Sequence, residues 1–164
     1  MLPFNRFDER AQDVIARSQE ILMRFRHNQM DTEHVFLALL EQPDGPAVQI
    51  FERFLGVNTD RLALQLYKFL LANNRSLIVP GRPIGGHQIY VTRRIQRLGQ
   101  VALAEAQTLS DGYISSEHIL LAISSEDSGH SVGLLSEAGV HTKDLRLAIA
   151  ALRAGKHITE VRGS

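Results

Sequence analysis

Apolar residues recur at three- and four-residue spacings through Ala11, Val14, Ile15, Ser18, Ile21, Leu22 and Phe25, while Asp13, Arg17 and Glu20 fall on the opposite side. That period predicts an amphipathic helix over Asp8 to His27, with one stripe packed inward and the other in water. Ile95, Leu98, Ala102, Ala106 and Leu109 draw the same stripe further on, and with Thr92 as a cap they predict a second such helix over Thr92 to Leu109. Val35 to Leu40 and Ile119 to Ile123 are apolar almost all round, which predicts two short helices wrapped by the others. Each opens after residues that accept hydrogen bonds from the amides of a first turn, Asp31-Thr32 and Ser115-Ser116. A polar loop follows each (42–46 and 124–129). A third helix then carries Val48, Phe51, Phe54 and Leu55, or Val132, Leu134 and Leu135, and stops at a left-handed Gly56 or Gly139. Fourth helices capped by Thr59 and Thr142 carry Leu62, Leu66 and Phe69, or Leu145, Ile149 and Leu152. Phe51, Phe54, Tyr67 and Phe69 sit at core spacings.

The two series are copies. Thr32-Glu33-His34-Val35-Phe36-Leu37-Ala38-Leu39 returns as Ser116-Glu117-His118-Ile119-Leu120-Leu121-Ala122-Ile123, a shift of 84 positions (117 − 33) that also carries Arg10 onto Arg94 and Gly45 onto Gly129. This period is too long for a solenoid of single motifs. The expected fold is all-α, eight helices arranged as two pseudo-symmetric four-helix repeats. The first spans 1–74 and the second 91–154. Pro80-Gly81-Arg82-Pro83 and Gly85-Gly86 break regular structure in a linker, 75–90, and 155–164 form a polar tail.

Composition narrows the function. A 44% hydrophobic content over 164 residues is enough for a core, and 18 basic against 18 acidic residues leave no electrostatic footprint for nucleic acid. No apolar leader or 18-residue apolar run appears, so no membrane partner is expected. With no cysteine the chain has no thiolate chemistry, which fits a cytoplasmic setting. The G-x-x-x-x-G-K-[ST] nucleotide loop is missing, and His34 and His118 have neither a nucleophile nor a metal-ligand partner at a suitable spacing. They are expected to pack or hydrogen-bond within the helix ends, and no cofactor or catalytic residue is expected. Glu33 and Glu117 sit in first turns, where the helix dipole favours a carboxylate with or without a ligand. Arg10 and Arg94 are placed either to pair with the Glu of their own repeat or to face a ligand.

Phe7-Asp8-Glu9-Arg10-Ala11-Gln12-Asp13-Val14 followed by the Thr32-Glu33-His34 segment, with Val91-Thr92-Arg93-Arg94 and the Ser116-Glu117-His118 segment as a second copy, resembles the Clp N-terminal repeat. The pattern is closest to the ClpC branch of AAA+ chaperones and covers Phe7 to Leu152. The resemblance implies a non-catalytic module that brings adaptor proteins or unfolded clients to a Clp ATPase ring and its peptidase. The alternative is a stand-alone accessory protein that regulates Clp assembly or activity. It further implies that Glu33 and Glu117 bind the guanidinium of phosphoarginine, in sites that include Thr32, Ser116, Asp8, Thr92, Arg10 and Arg94. A carboxylate suits the planar guanidinium fork, and helix N-terminal amides suit the phosphate. The family usually has Thr where this chain has Asp8, whereas the second copy keeps Thr92. A carboxylate beside a phosphate repels it by roughly 1–4 kcal/mol at short range, which predicts that the second copy is the stronger site.

Overall fold

The apolar stripes form eight α-helices among the described residues of a computed structural model, which describes residues 2–73, 89–154 and 158. The first repeat contains α1 (Glu9–Phe25), α2 (Thr32–Glu41), α3 (Pro46–Gln49) and α4 (Thr59–Ala72). The second contains α5 (Arg93–Thr108), α6 (Ser116–Ser124), α7 (His130–Glu137) and α8 (Thr142–Arg153). The expected linker, apart from Ile89 and Tyr90, and the expected tail, apart from Ile158, lie outside the described residues.

As their composition requires, α2 and α6 are the centre: every residue from Val35 to Leu40 and from Ile119 to Ile123 is buried. Around them pack Ala11, Val14, Ile15, Ile21 and Leu22 of α1 and Ile95, Leu98, Ala102 and Ala106 of α5. Each large apolar side chain so buried contributes about 1.5–3 kcal/mol.

Of the four aromatics expected in the core, Phe51 is fully buried and Phe69 half-buried, while Phe54 (38%) and Tyr67 (40%) are exposed. An extra residue explains Phe54. The shift between repeats is 84 as far as Val48 and Val132, but Gly56 answers to Gly139, a shift of 83 (139 − 56). Helix α3 absorbs the surplus by passing into a π turn, Ile50–Phe54. There the Leu55 amide donates to the carbonyl of Ile50, five residues back, at 3.1 Å; in the second repeat Ala138 donates to Leu134, four back, also at 3.1 Å. The wider turn carries Phe54 off the core stripe, with its ring centre 5.4 Å from the Arg53 guanidinium. Tyr67 sits on the outer side of α4, edge-on to Phe25 at 4.9 Å, and Leu70 fills the core position that extends Leu62 and Leu66.

Capping follows the sequence at α2, α5 and α6 and departs from it at α4 and α8, while α1, for which no cap is expected, is capped by Asp8. Asp8 and Thr92 accept the amides of Ala11 (3.0 Å) and Ile95 (3.3 Å). Asp31 and Ser115 cap α2 and α6. At α4 and α8, however, the cap positions belong to Asn58 and His141, and the expected caps Thr59 and Thr142 are already helical. Their hydroxyls turn elsewhere: Thr59 donates to Glu52 at 2.6 Å, and Thr142 pairs with Ser124 at 2.8 Å. The glycine stops hold, with Gly56 at φ +64° and Gly139 at φ +74°.

The repeats are joined by an exchange of lead-in segments. Strand β1 (Gln29–Met30) pairs in parallel with β2 (Tyr90–Val91), Met30 opposite Val91, and Phe7 forms a parallel bridge to Ile114. The shift of 84 carries Phe7 onto Val91 and Met30 onto Ile114, so the two contacts are one contact repeated across the pseudo-two-fold axis. The Asp8 amide donates to Ile114 at 2.9 Å and the Thr92 amide to Met30 at 3.2 Å.

Candidate functional site

Because the lead-in segments cross, each central helix meets the first turn of the long helix from the other repeat. Arg94 of α5 reaches Glu33, with Nη2 3.4 Å from Oε2, and also Asp31 (3.3 Å) and Glu126 (3.2 Å). Glu33, 1% exposed at its side chain, also accepts the Ser131 hydroxyl at 2.8 Å. Thr92 donates to Asp31 at 3.2 Å and Thr32 to Glu126 at 3.1 Å. Among the described residues the one glutamate of its own repeat that Arg94 meets is Glu126, and pairing of Arg94 with Glu117, the glutamate of its own Glu-His segment, is thereby corrected. So is the placement of Thr92 with Glu117 and of Asp8 with Glu33: Thr92 stands in the Glu33 cluster, and Asp8 is tied to Ile114, just ahead of Ser115.

Glu117 takes its cation from its own repeat. Arg153, at the end of α8, places Nη2 2.6 Å and Nε 3.1 Å from Glu117 Oε2, and Nη1 2.6 Å from Asp111 Oδ2. The Ser115 hydroxyl donates to the same glutamate at 2.8 Å. His118 accepts the Ser115 amide at Nδ1 (2.8 Å), so its proton is on Nε2, which donates to Asp111 at 2.7 Å. Ile158 closes the cluster, its amide donating to Asp111 Oδ1 at 2.8 Å. In the first repeat His34 likewise accepts the Asp31 amide at 3.0 Å, and its Nε2 faces His27 Nδ1 at 3.0 Å. Both histidines thus serve their helix ends.

Burial pushes the His118 pKa below 6.5 despite Asp111 beside it. For Asp111 burial acts upward, but the bonds from Arg153, the Ile158 amide and His118 outweigh it and hold the carboxyl below 3.8. Burial raises Glu126 against the pull of Arg94.

Sequence reasoning missed Arg153 and Asp111, although a signal existed. With the shift of 83 set by the extra residue, Arg153 stands where the first repeat has the buried Leu70, and with the shift of 84 Asp111 stands where it has His27. A cation on an apolar stripe, matched by a new acid, is the mark of a buried pair. The remaining expected residues separate. Among the described residues Arg10 makes no side-chain hydrogen bond or ion pair, and the buried Ser116 hydroxyl has no hydrogen-bond partner. Gln42, the counterpart of Glu126, spends its amide on the Arg10 carbonyl (3.0 Å) and Asp13 (2.9 Å). No group of three His, Asp or Glu among the described residues could hold a metal, and no helix among them is long and apolar enough to cross a membrane.

Gly129 makes room for Arg94. It sits at φ +122°, ψ 172°, and a Cβ there would lie 2.6 Å from Arg94 Nη2. Gly129→Ala is expected to cost about 1–3 kcal/mol through backbone strain, while pushing Arg94 off Glu33. Urea unfolding checks this, and an unchanged midpoint would refute it.

Comparison with known proteins places the fold. The family model for the Clp repeat (R) N-terminal domain matches residues 6–138. The chain is 33% identical to the chaperone protein ClpB of Bacillus cereus over 159 residues, 96% of this chain and 18% of that protein. It is 31% identical to the negative regulator of genetic competence ClpC/MecB of Bacillus subtilis over 149 residues, 91% of this chain and 17% of that protein. It therefore spans less than a fifth of the length of these relatives. Among solved structures, the Hsp104 N-terminal domain from Candida albicans has the same fold (TM-score 0.73, 18% identity, covering 95% of this chain and 97% of that one). So does the N-terminal domain of the ClpV1 ATPase from E. coli (TM-score 0.74, 19% identity, covering 98% and 92%).

Proposed function

Since the chain belongs to the Clp repeat N-terminal domain family, we propose that it is a non-catalytic docking module that delivers adaptor proteins, or unfolded and arginine-phosphorylated clients, to a Clp unfoldase and its peptidase. The observation that carries this reading is the family match across residues 6–138, which takes in both Glu-His segments and both lead-in segments. The geometry supports the ligand class. Glu33 and Glu117 each already hold a guanidinium, from Arg94 and from Arg153, so the carboxylates are oriented for a planar cation, and a ligand guanidinium enters either site only by displacing that arginine. Arg10, which makes no side-chain hydrogen bond or ion pair among the described residues, and the first-turn residues Thr32 and Ser116, which are buried and must be uncovered for it, are the groups proposed to meet the phosphate.

The crossing changes which site is favoured. Thr92 stands with Asp31 and Glu33, so the reading based on a hydroxyl in place of a carboxylate now favours the Glu33 site. Against it, that site is crowded with Asp31 and Glu126, two further carboxylates that repel a phosphate.

Calorimetric titration with phosphoarginine and then with arginine tests the ligand. Phosphoarginine is expected to bind at least about tenfold tighter, since its phosphate adds charge-assisted bonds that arginine lacks. Glu33→Gln and Glu117→Gln should each weaken it. No binding, or equal binding by both variants and the parent, overturns the phosphoarginine reading. The docking reading itself is tested by binding of a permanently unfolded protein such as reduced, carboxymethylated α-lactalbumin, and fails if none is retained.

A further inference from the structure

The face between α5 and the α6–α7 loop contains a cavity of about 190 Å³ open to solvent. Its floor is Leu98, Val101 and Ala122, and its walls include Arg97 on one side and Ser125 and Asp127 on the other. Leu98 and Ala122 are buried parts of the core, so the floor is fixed. Arg97 and Asp127 are exposed, and their side chains make no hydrogen bond or ion pair among the described residues. The cavity thus offers an apolar seat between an unpaired cation and an unpaired anion.

The equivalent face of the first repeat is shut by its side chains. There Asp13 replaces Arg97, Arg17 replaces Val101, Glu41 replaces Ser125 and Gln42 replaces Glu126. Arg17 Nε bonds Asp13 at 2.7 Å and Nη1 reaches the Glu41 carbonyl at 3.4 Å, while Gln42 reaches Asp13 from the loop. These bonds tie α1 to the end of α2 across the place where the second repeat is open. The same backbone therefore carries one filled groove and one empty groove, and the difference lies in Val101, Arg97 and Ser125.

We infer that the open groove binds an extended stretch of polypeptide from a partner, with an aliphatic side chain seated on Leu98, Val101 and Ala122. An acidic neighbour of that side chain faces Arg97, and a basic neighbour faces Asp127. This inference rests on the docking reading above and adds a sequence preference to it. A wholly apolar segment leaves both charges unmatched, and a segment of one sign repels one of them. The cavity takes one medium-sized side chain, so the preference is for a single aliphatic residue flanked by opposite charges rather than for a hydrophobic run.

The test is an amide NMR titration of the chain with three blocked pentapeptides, Gly-Glu-Leu-Lys-Gly, Gly-Glu-Ala-Lys-Gly and Gly-Gln-Leu-Gln-Gly. The first is expected to shift Leu98, Val101, Ala122 and residues 125–128, and to bind about tenfold or more tighter than the alanine peptide, because three carbons leave the seat. The uncharged peptide should also bind more weakly. Val101→Arg with Arg97→Asp, which copies the closure of the first repeat, should abolish these shifts while the thermal midpoint holds. Should that pair lose the fold, Arg97→Gln alone should remove the preference for Glu-Leu-Lys over Gln-Leu-Gln. Equal binding of the leucine and alanine peptides, shifts elsewhere on the surface, or full binding by a folded closed-groove variant overturns the proposal. If the unfolded α-lactalbumin still binds while the peptides do not, the groove is wrong and the docking reading stands; if neither binds, the docking reading fails with it.

Discussion

Arg153→Ala is expected to destabilise the fold by about 3–5 kcal/mol, the range for removing one partner of a buried pair. Arg153 is 8% exposed at its side chain, and its partners Glu117 and Asp111 are 1% and 0% exposed, so water does not replace the lost guanidinium. Two carboxylates are left facing each other's charge, with Ser115, His118 and the Ile158 amide among the remaining donors. Arg153→Leu, which copies Leu70 of the first repeat, should be nearly as damaging because shape is restored and charge is not. Adding Asp111→Asn should recover part of the loss.

The pH dependence follows from the directions of the shifts. Asp111 is held below 3.8 in the fold, so its stabilisation is complete above that value and is lost as pH falls through the folded pKa. His118 is held below 6.5, so from about that pH downward the unfolded chain takes up a proton that the fold refuses, and stability falls there too. In Arg153→Ala, Asp111 loses a contact that lowers its pKa and keeps the burial that raises it. The gap between variant and parent should therefore narrow from pH 7 to pH 4. Urea midpoints at both values measure it, and a gap that widens toward acid would contradict the assignment.

Phe36→Ala should be as severe, about 3–5 kcal/mol. Phe36 is fully buried at the middle of α2, with its ring centre 6.3 Å from that of Phe51. Removing it opens a void between α2 and the turn after α3, where the π turn already fixes the backbone. The second repeat carries Leu120, also fully buried, at the equivalent place. Phe36→Leu should accordingly cost much less, within about 1.5 kcal/mol, since the surrounding helices accept that side chain elsewhere in the same chain. Thermal unfolding of both variants decides it: equal losses would mean that ring stacking rather than volume sets the cost.

What the sequence made legible was whatever depends on local period and on the duplication. The stripes of α1 and α5, the apolar α2 and α6, the left-handed stops at Gly56 and Gly139 and the caps at Asp31, Thr92 and Ser115 follow from side chains within four residues of each other. Phe54 was misplaced because a single added residue alters helix phase, and the change shows only when the two copies are aligned beyond Val48. The site was legible as a set of residues but not as pairs. Glu33, Arg94 and Thr92 were all singled out, yet only the crossing of the lead-in segments puts them together, and no local rule predicts which repeat a two-residue strand will join. Arg153 and Ile158 reach Asp111 from 42 and 47 positions away, beyond any periodicity.

The exchanged lead-in segments have a further consequence. Phe7 on Ile114 and Val91 on Met30 form an interface in which the same patch appears on both sides, each half giving what it receives. That is the isologous arrangement of a two-fold homodimer, here written in one chain. A single ancestral copy could have closed the same contact only by meeting its twin. Held in one chain, the halves are free to differ, and Arg153 opposite Leu70, Asp111 opposite His27 and Val101 opposite Arg17 are differences that a true homodimer, obliged to make each substitution twice, could not confine to one side.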